Sequence, residues 1–387
     1  MHTTPIGAHA IFRFWSSALL PGLLMVAAVG IAHATDLVVT HIAPYSGPAA
    51  SLGKEYGEGA RLYFEYVNAQ GGIYDSNVVL VTRDDAGDPE LTRRHAGAAA
   101  QDKPVAFIGT FGADSINSLI PMLARLQAPL VGPVVDSAGV SATISPYVFH
   151  VRPTIEQEVE AVATQLHALG MRRMALCDSG DARGKAALRE AAQNPAQSTS
   201  KLFVTARCGG DPTEIEAAAN AIAVIDPQAV IFVGQTQSAA LFIKTLRAKG
   251  SYAMVVVNSS VDPKVLVSKL PAAAAIWLAV AESVPNPNSL VRHDESIVRE
   301  FLAMRDAAAS WTPLSRASLT GFLAAKIAVE AIRRAGKNPT SADVLKQLAT
   351  LKQYDVGGIR VNYSRDKPGG TAFTRLGIIS KTGVVLN

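Results

Sequence analysis

The stretch VAFIGTFGADSINSLIPMLARLQAPLVGP, Val105 to Pro133, decides the fold of this chain. An apolar strand runs into a Gly-bracketed loop with one acid and one hydroxyl, an apolar-periodic helix follows, and PLVG supplies a second strand. Strand, helix and strand in that order form one unit of a parallel sheet covered by helices. The loop Thr110 to Ser115 leaves a strand's carboxyl end and opens a helix, the place where open α/β sheets hold ligands. It has neither the lysine nor the glycine spacing of a phosphate cradle.

The same alternation extends to both sides. Upstream, DLVVTHIAPY reads as a strand running into the loop SGPAASLG. A helix is predicted from about Lys54, with Tyr56, Ala60, Tyr63, Phe64 and Val67 at helical spacing and a stop at Gly71-Gly72. The strand NVVLVTRDD comes next, then Asp88 as an N-cap with Pro89 at the first helical position. Downstream, Thr154 and Gln157 form a capping box for a helix that turns Val159, Val162, Ala163, Leu166 and Leu169 inward and ends at Gly170. Strands RMALC, KLFVTA, AVIFVG and YAMVVV follow, separated by helices near Gly184 to Gln193, Thr213 to Val224 and Ser238 to Lys249. Within this second run, IFVGQTQSAALFIKTLRAKGSYAMVVV repeats the order of the opening stretch, with Gly234 where Gly109 stood. Two α/β units of similar size are therefore expected, each with a polar loop at a strand end. The tail breaks the alternation. A Pro/Asn-rich connector, AESVPNPNSL, precedes three helical stretches near Arg292 to Ala308, Ala317 to Ala335 and Ser341 to Leu351, and two β-like runs, GGIRVNY and TRLGIIS, close the chain.

The chain has 387 residues, of which 49% are hydrophobic and 18% charged, enough to bury a large core and to divide into two domains. In residues 1–34 the only charged side chain is Arg13, and an apolar run from Trp15 to Ile31 ends in Ala32-His33-Ala34. That is the layout of a secretory signal peptide cleaved after Ala34. The alternative, a membrane anchor, is disfavoured by the break at Pro21-Gly22. Loss of Arg13 changes the formal charge from +4 to +3, too little to imply nucleic acid or an anionic membrane. The pairs Arg93-Arg94, Arg172-Arg173 and Arg333-Arg334 read as solvated helix faces. Cys177 and Cys208 each close a predicted strand in the same region. An exported chain permits a disulfide between them, and two buried free thiols are the other reading.

CxxC, HExxH, GxxxxGK[ST] and GxSxG are absent, and His41, His95, His150, His167 and His293 are dispersed over separate elements. Neither a catalytic residue nor a metal or cofactor is expected. Asp84-Asp85 reads as a solvated strand terminator. The remaining polar groups cluster at strand ends: Tyr45-Ser46, Asp114-Ser115, Asp136-Ser137, Asp181 to Arg183, Gln235-Thr236 and Asn258 to Ser260. A recognition site at such loops needs no catalyst to explain it.

PYSGPAASLGKEYGEGARLYFEYVNAQGGI, with VVLVTRDDAGDPELT after it, resembles the N-terminal signature of periplasmic binding proteins of the leucine/isoleucine/valine-binding type, the receptors of ATP-driven (ABC) importers. The resemblance continues through FIGTFGADS, PLVGPVVDSAGV, YVFHVRPTIEQE, GDARGKAALRE and VDPKVLVSKL to GFLAAKIAVEAIRRAGKNPTSADVLKQL and FTRLGIISKTG. It implies two doubly wound parallel-sheet lobes joined by three crossings, near Val151-Arg152, in the Ser283 to Asn288 connector and around Leu351 to Gly357. Lobe 1 would then be 35–151 plus 284–352, and lobe 2 would be 152–283 plus 353–387. The implied protein is a periplasmic, monomeric, non-enzymatic receptor that hands an amino acid or similar small amide or carboxylic acid to permease subunits in the inner membrane. A sensor using the same fold to signal to a membrane receptor is the alternative, and an exported hydrolase a third.

Carried over by position, the resemblance implies that Leu52 is a wall residue where amino-acid binders often have an aromatic. Phe111, Gly112, Ala113, Asp114 and Ser115 correspond to the loop that holds a ligand carboxylate. Val135, Asp136 and Ser137, with Val134, correspond to the next small-residue loop. Arg183 replaces the tyrosine of the D-x-Y-G turn, Gln235 and Thr236 answer from the second lobe, and Ser259 lies where an acid is expected to grip an amino group. The departures at Asp114, Asp136 and Arg183 leave the ligand open, because an α-amino-acid site needs donors for the carboxylate and an acid for the ammonium.

Overall fold

The computed structural model describes residues 36–135, 139–140, 143–178, 202–209, 211–288, 295–308, 311–363, 370–371 and 373–386. The expected signal peptide, Asp136, Ser137, Arg183 and the helix predicted near Gly184 to Gln193 lie outside them.

Two main sheets organise the chain. The first contains β1 (Leu37–Ala43), β2 (Val78–Asp84), β3 (Ala106–Ile108), β4 (Leu130–Val131) and β5 (Val148–Phe149), all parallel, in the order β2-β1-β3-β4-β5. The second contains β6 (Met174–Asp178), β7 (Leu202–Arg207), β8 (Ala229–Val233), β9 (Met254–Val257) and β10 (Leu278–Glu282), all parallel. It is extended antiparallel by β13 (Arg375–Ile379) and β14 (Val385–Leu386), giving the order β14-β13-β10-β9-β8-β6-β7. The strand order reverses between β1 and β3 in one sheet and between β6 and β8 in the other. At such switch points the flanking loops leave in opposite directions and open a crevice.

Strict side-chain alternation explains why each sheet is covered on both faces. From the first sheet, Val39, Ile108, Val131 and Phe149 pack against α1 (Ala50–Ala69) and α9 (Arg316–Ala335), with Tyr56, Phe64 and Phe322 buried between them. Phe107, Leu130 and Val148 point the other way, toward α2 (Pro89–Ala99) and α3 (Ala113–Leu126). In the second sheet, Leu176, Ile231 and Val256 meet Ile155, Val159 and Leu166 of α4 (Ile155–Ala168). Cys177, Phe232, Val255 and Val280 face α5 (Pro212–Ile225), α6 (Thr236–Ala248) and α7 (Pro263–Ser268). The helix starts read from the sequence hold locally: the Asp88 side chain accepts from Glu90 N–H at 2.8 Å, and Thr154 and Gln157 exchange capping-box bonds at 2.9 and 3.3 Å.

The tail returns to the first sheet through α8 (Ser296–Ala307), α9 and α10 (Ser341–Leu348), followed by a two-stranded ribbon of β11 (Tyr354–Asp355) and β12 (Arg360–Val361). Around the crossing expected at Leu351 to Gly357, the side chains of Leu351, Val356, Ile359, Val361 and Tyr363 are buried in the same apolar cluster as α1 and α9. The fold there is set by burial of the ribbon's apolar side, which the short GGIRVNY run does not announce. Asp85 departs from expectation. It is fully buried, and accepts from Gly87 N–H at 2.9 Å and from the Thr92 hydroxyl at 2.7 Å; burial raises its pKa against those bonds.

Candidate functional site

The first half of the site is assembled on an aromatic scaffold beneath two glycines. Gly109 and Gly132 end β3 and β4, each with φ near +63°, a conformation that favours glycine. A Cβ on Gly109 would stand 2.2 Å from the Tyr56 ring, and one on Gly132 would stand 2.4 Å from Ala324 Cβ. The Tyr56 hydroxyl donates to the Gly132 carbonyl at 2.8 Å. His41 stacks on Tyr56 with ring centroids 5.1 Å apart and places Nε2 3.0 Å from the Gly109 carbonyl. A carbonyl only accepts, so Nε2 bears the proton and Nδ1 accepts from the Tyr45 hydroxyl at 2.8 Å. Burial holds the His41 pKa down at about 4, with the Gly109 bond opposing and Arg61 assisting, so the ring is neutral at pH 7. Helix α1 can approach this closely because Gly53, Gly57 and Gly59 present no side chain to Pro44, Tyr45 and Ser318.

Above this scaffold the loops are zipped together. Val134 N–H donates to the Thr110 carbonyl at 2.8 Å and Gly112 N–H to the Val134 carbonyl at 3.0 Å, continuing the β3–β4 pairing past the strand ends. Phe111 is half-buried, edge-on to Tyr56 at 5.8 Å. Gly112 caps α3 without a side chain, leaving first-turn N–H groups without a side-chain cap. Ala113 is half-buried, Asp114 is exposed on that first turn, and Ser115 is buried. Leu52 is half-exposed in the first turn of α1. Val135 sends its side chain into the core around Phe107 and Leu119, so only its backbone faces the loop. The Asp84 carboxylate accepts from the N–H groups of Tyr45 and Ser46 at 2.8 and 3.1 Å, which ties the β1 loop to the end of β2.

The second half rests on the ends of β8 and β9. Asn258 is the joint: its N–H donates to the Phe232 carbonyl at 3.1 Å and its side-chain oxygen accepts from Gly234 N–H at 3.1 Å. Gln235 caps α6 and is exposed, while Thr236 accepts from Asp262 N–H at 3.1 Å. These bonds bring Gln235, Thr236 and the Asn258 to Asp262 loop together. Ser259 was expected at the position of an acid, and an acid does stand there, though it comes from another element. Glu158 in the first turn of α4 accepts from Ser259 N–H at 2.7 Å and from the Ser259 hydroxyl at 2.6 Å. Sequence reasoning passed over Glu158 because it sits one position after a capping box, where an acid is usual for helix-dipole reasons alone.

Cys177 and Cys208 are joined as a disulfide, with Cα atoms 5.7 Å apart, across the adjacent ends of β6 and β7. A cavity of about 830 Å³ lies elsewhere, between α1 and α8, lined by Leu62, Tyr66, Ala303 and Met304. It touches none of the strand-end loops. Among the described residues, no group of three His, Cys, Asp or Glu side chains is placed to hold a metal ion. No described helix is long and apolar enough to cross a membrane.

A family model described as periplasmic binding protein matches residues 37–378. The crystal structure of a substrate-binding periplasmic protein from Ralstonia solanacearum is similar, with 32% identity, a TM-score of 0.65 and coverage of 91% of this chain and 99% of that one. A putative branched-chain amino acid ABC transporter structure from Rhodospirillum rubrum shares the fold at TM-score 0.71 and 21% identity, over 91% of this chain and 99% of that one. A Leu/Ile/Val-binding protein homolog 3 of Brucella melitensis biotype 1 is 39% identical over 74 residues, 19% of this chain and 20% of that protein. The matched stretch thus spans about a fifth of that curated relative.

Proposed function

This chain belongs to the periplasmic binding protein family, and from that premise we propose that it is an exported, non-enzymatic receptor. It binds an amino acid or a similar small amide or carboxylic acid in a cleft between two lobes and delivers it to the permease subunits of an ABC importer. The first lobe consists of 35–151 and 284–363, the second of 152–283 and 370–387. The mature protein is a periplasmic monomer.

One observation carries the reading. Two sheets, each with a parallel core and one reversal of strand order, both carry polar loops at strand ends near that reversal that are braced from below, by His41 and Tyr56 in one and by Asn258 and Glu158 in the other. Rigid loops on two units joined by three chain passages suit a ligand held from both sides, with closure favoured by contacts that exist only when both sides touch it. Gly112 to Ser115, the backbone of Val134 and Val135, Gln235, Thr236 and Ser259 are the groups assigned to the ligand, with Leu52 and Phe111 as its walls. The names of the similar proteins, which bind leucine, isoleucine and valine or take branched-chain amino acids, favour a small apolar amino acid.

A thermal-shift screen of the mature protein against the twenty standard L-amino acids, their amides and small carboxylic acids tests this. A ligand at a hundred times its dissociation constant adds about 2.7 kcal/mol of apparent stability. A panel without any shift would remove the receptor reading.

A further inference from the structure

Where the chain passes between its two units, the end of β10 and the start of α9 meet. Arg316 is the first residue of α9, which belongs to the first apolar core, and it forms an ion pair with Glu282, the last residue of β10 in the second sheet. Arg152, just beyond β5, and Asp262, just beyond β9, are close enough to act on the Arg316 charge with opposite signs. Arg316 therefore stands among the carboxyl ends of strands from both sheets, on the side where such sheets hold ligands.

The pair is incompletely satisfied. The Glu282 side chain is 1% exposed and its Oε2 has no hydrogen-bond partner among the described residues; Arg316 Nε is likewise buried and unpartnered. Yet 37% of the Arg316 side chain remains exposed. Burial, helped by Arg152 and opposed by Asp262, pulls its pKa down to about 10, so this guanidinium is poorly hydrated and still charged at pH 7. The carboxylate of Asp262 is committed elsewhere, accepting from Lys264 and Val265 N–H at 2.8 and 3.0 Å.

We propose that Arg316 receives the ligand's carboxylate and that Glu282 holds its place in the empty site, turning its orphaned oxygen to the ligand's ammonium or amide N–H once the ligand has entered. A guanidinium offers five donors in a planar fork, of which Glu282 uses only part. Opening a buried ion pair is costly when a charge is left unpaired, and here the ligand's carboxylate and N–H group supply a new partner to each side. The exchange also explains how a loop carrying Asp114 can belong to the site: the carboxylate is recognised at Arg316 instead of at Gly112 to Ser115. The ligand is then a small molecule with a carboxylate and a neighbouring N–H donor. Because Arg316 and Glu282 come from different units, the same exchange couples ligand charge to the chain passages between them.

This inference rests on the receptor reading and is tested separately from it by acid-versus-amide discrimination. Each standard L-amino acid and its C-terminal amide is titrated calorimetrically against wild type, Arg316→Gln and Arg316→Lys. Wild type is expected to prefer the free acid. Arg316→Gln should weaken the acid on the order of 100-fold and leave the amide within about 3-fold, with Arg316→Lys between. Because Arg316→Gln leaves a buried carboxylate unpaired, the double variant Arg316→Gln/Glu282→Gln supplies a neutral pair that keeps the fold, and it should show the same loss of discrimination. If wild type binds an amino acid and Arg316→Gln or the double variant binds it equally well, the Arg316 assignment falls and the receptor reading stands. If wild type binds no member of either series, the Arg316 assignment falls, and the receptor reading is decided by the wider thermal-shift panel.

Discussion

The Ser259 hydroxyl and the Glu158 carboxylate lie 2.6 Å apart, and the Ser259 backbone N–H donates to the same carboxylate at 2.7 Å. A loop at the end of β9 is thereby fastened to the first turn of α4, 101 residues away in sequence. Glu158→Ala removes the acceptor of both bonds and should cost about 1–3 kcal/mol in urea unfolding. It should also weaken binding of any ligand that uses Ser259. A variant as stable as wild type would show the bond to be incidental.

The glycines at the ends of β3 and α2 should respond in opposite directions. Gly109→Ala forces a Cβ into the Tyr56 ring at a positive φ and should cost on the order of 2 kcal/mol or more. Gly97 lies inside α2, where a Cβ meets only Met122 Cε at 3.8 Å, so Gly97→Ala should stabilise by about 0.5–1 kcal/mol. Paired chemical-denaturation curves decide it. Equal effects at the two positions would contradict the scaffold described for Tyr56.

Two buried histidines set an acid limit. His41 and His150 have their pKa values lowered from 6.5 to about 4, mainly by burial, with the hydrogen bonds their rings make to Gly109 and Thr143 opposing. The unfolded chain takes up these protons near pH 6.5, whereas the folded chain resists until about pH 4. Their contribution is thus complete above pH 6.5 and is lost as pH falls toward 4, at up to about 1.4 kcal/mol per pH unit for each histidine. Urea midpoints measured between pH 7.5 and 4.5 should fall steadily, and His150→Asn should flatten that slope. An unchanged slope in the variant would rule out its role.

The disulfide closes a loop with 31 residues of separation. Chain-entropy reasoning assigns such a cross-link about 3–4 kcal/mol. Replacing Cys177 and Cys208 together by Ala should lower stability by that order, without changing ligand affinity. Peptide mapping under non-reducing conditions should recover the linked pair; free thiols at both positions would contradict it.

Much of the fold was legible because its signals are local. Helical spacing of Tyr56, Ala60, Tyr63 and Val67, the cap at Asp88 with Pro89, and the box of Thr154 with Gln157 each act within a few residues, and all appear as read. The packing of the ribbon at Tyr354 to Val361 is not legible, because two-residue strands have no periodicity to read; it follows from burying Val356, Ile359 and Tyr363 in the cluster that holds α9. The strand-end loops were located from the alternation of strand and helix. Which side chains brace them was not, since His41 to Gly109 spans 68 residues and Tyr56 to Gly132 spans 76.

The α/β alternation, the capped starts of α2 and α4 and the positions where polar loops leave the strands follow from the sequence alone, because periodicity and capping depend on neighbours along the chain. That Glu158 underlies Ser259, that Arg316 meets Glu282 and that Val135 turns its side chain into the core follow from packing in three dimensions. The two polar pairings join residues 101 and 34 positions apart. They arise from the crossing of packed helices and strand ends, where burial leaves a charge or a donor few partners, and nothing in local spacing encodes which one it finds.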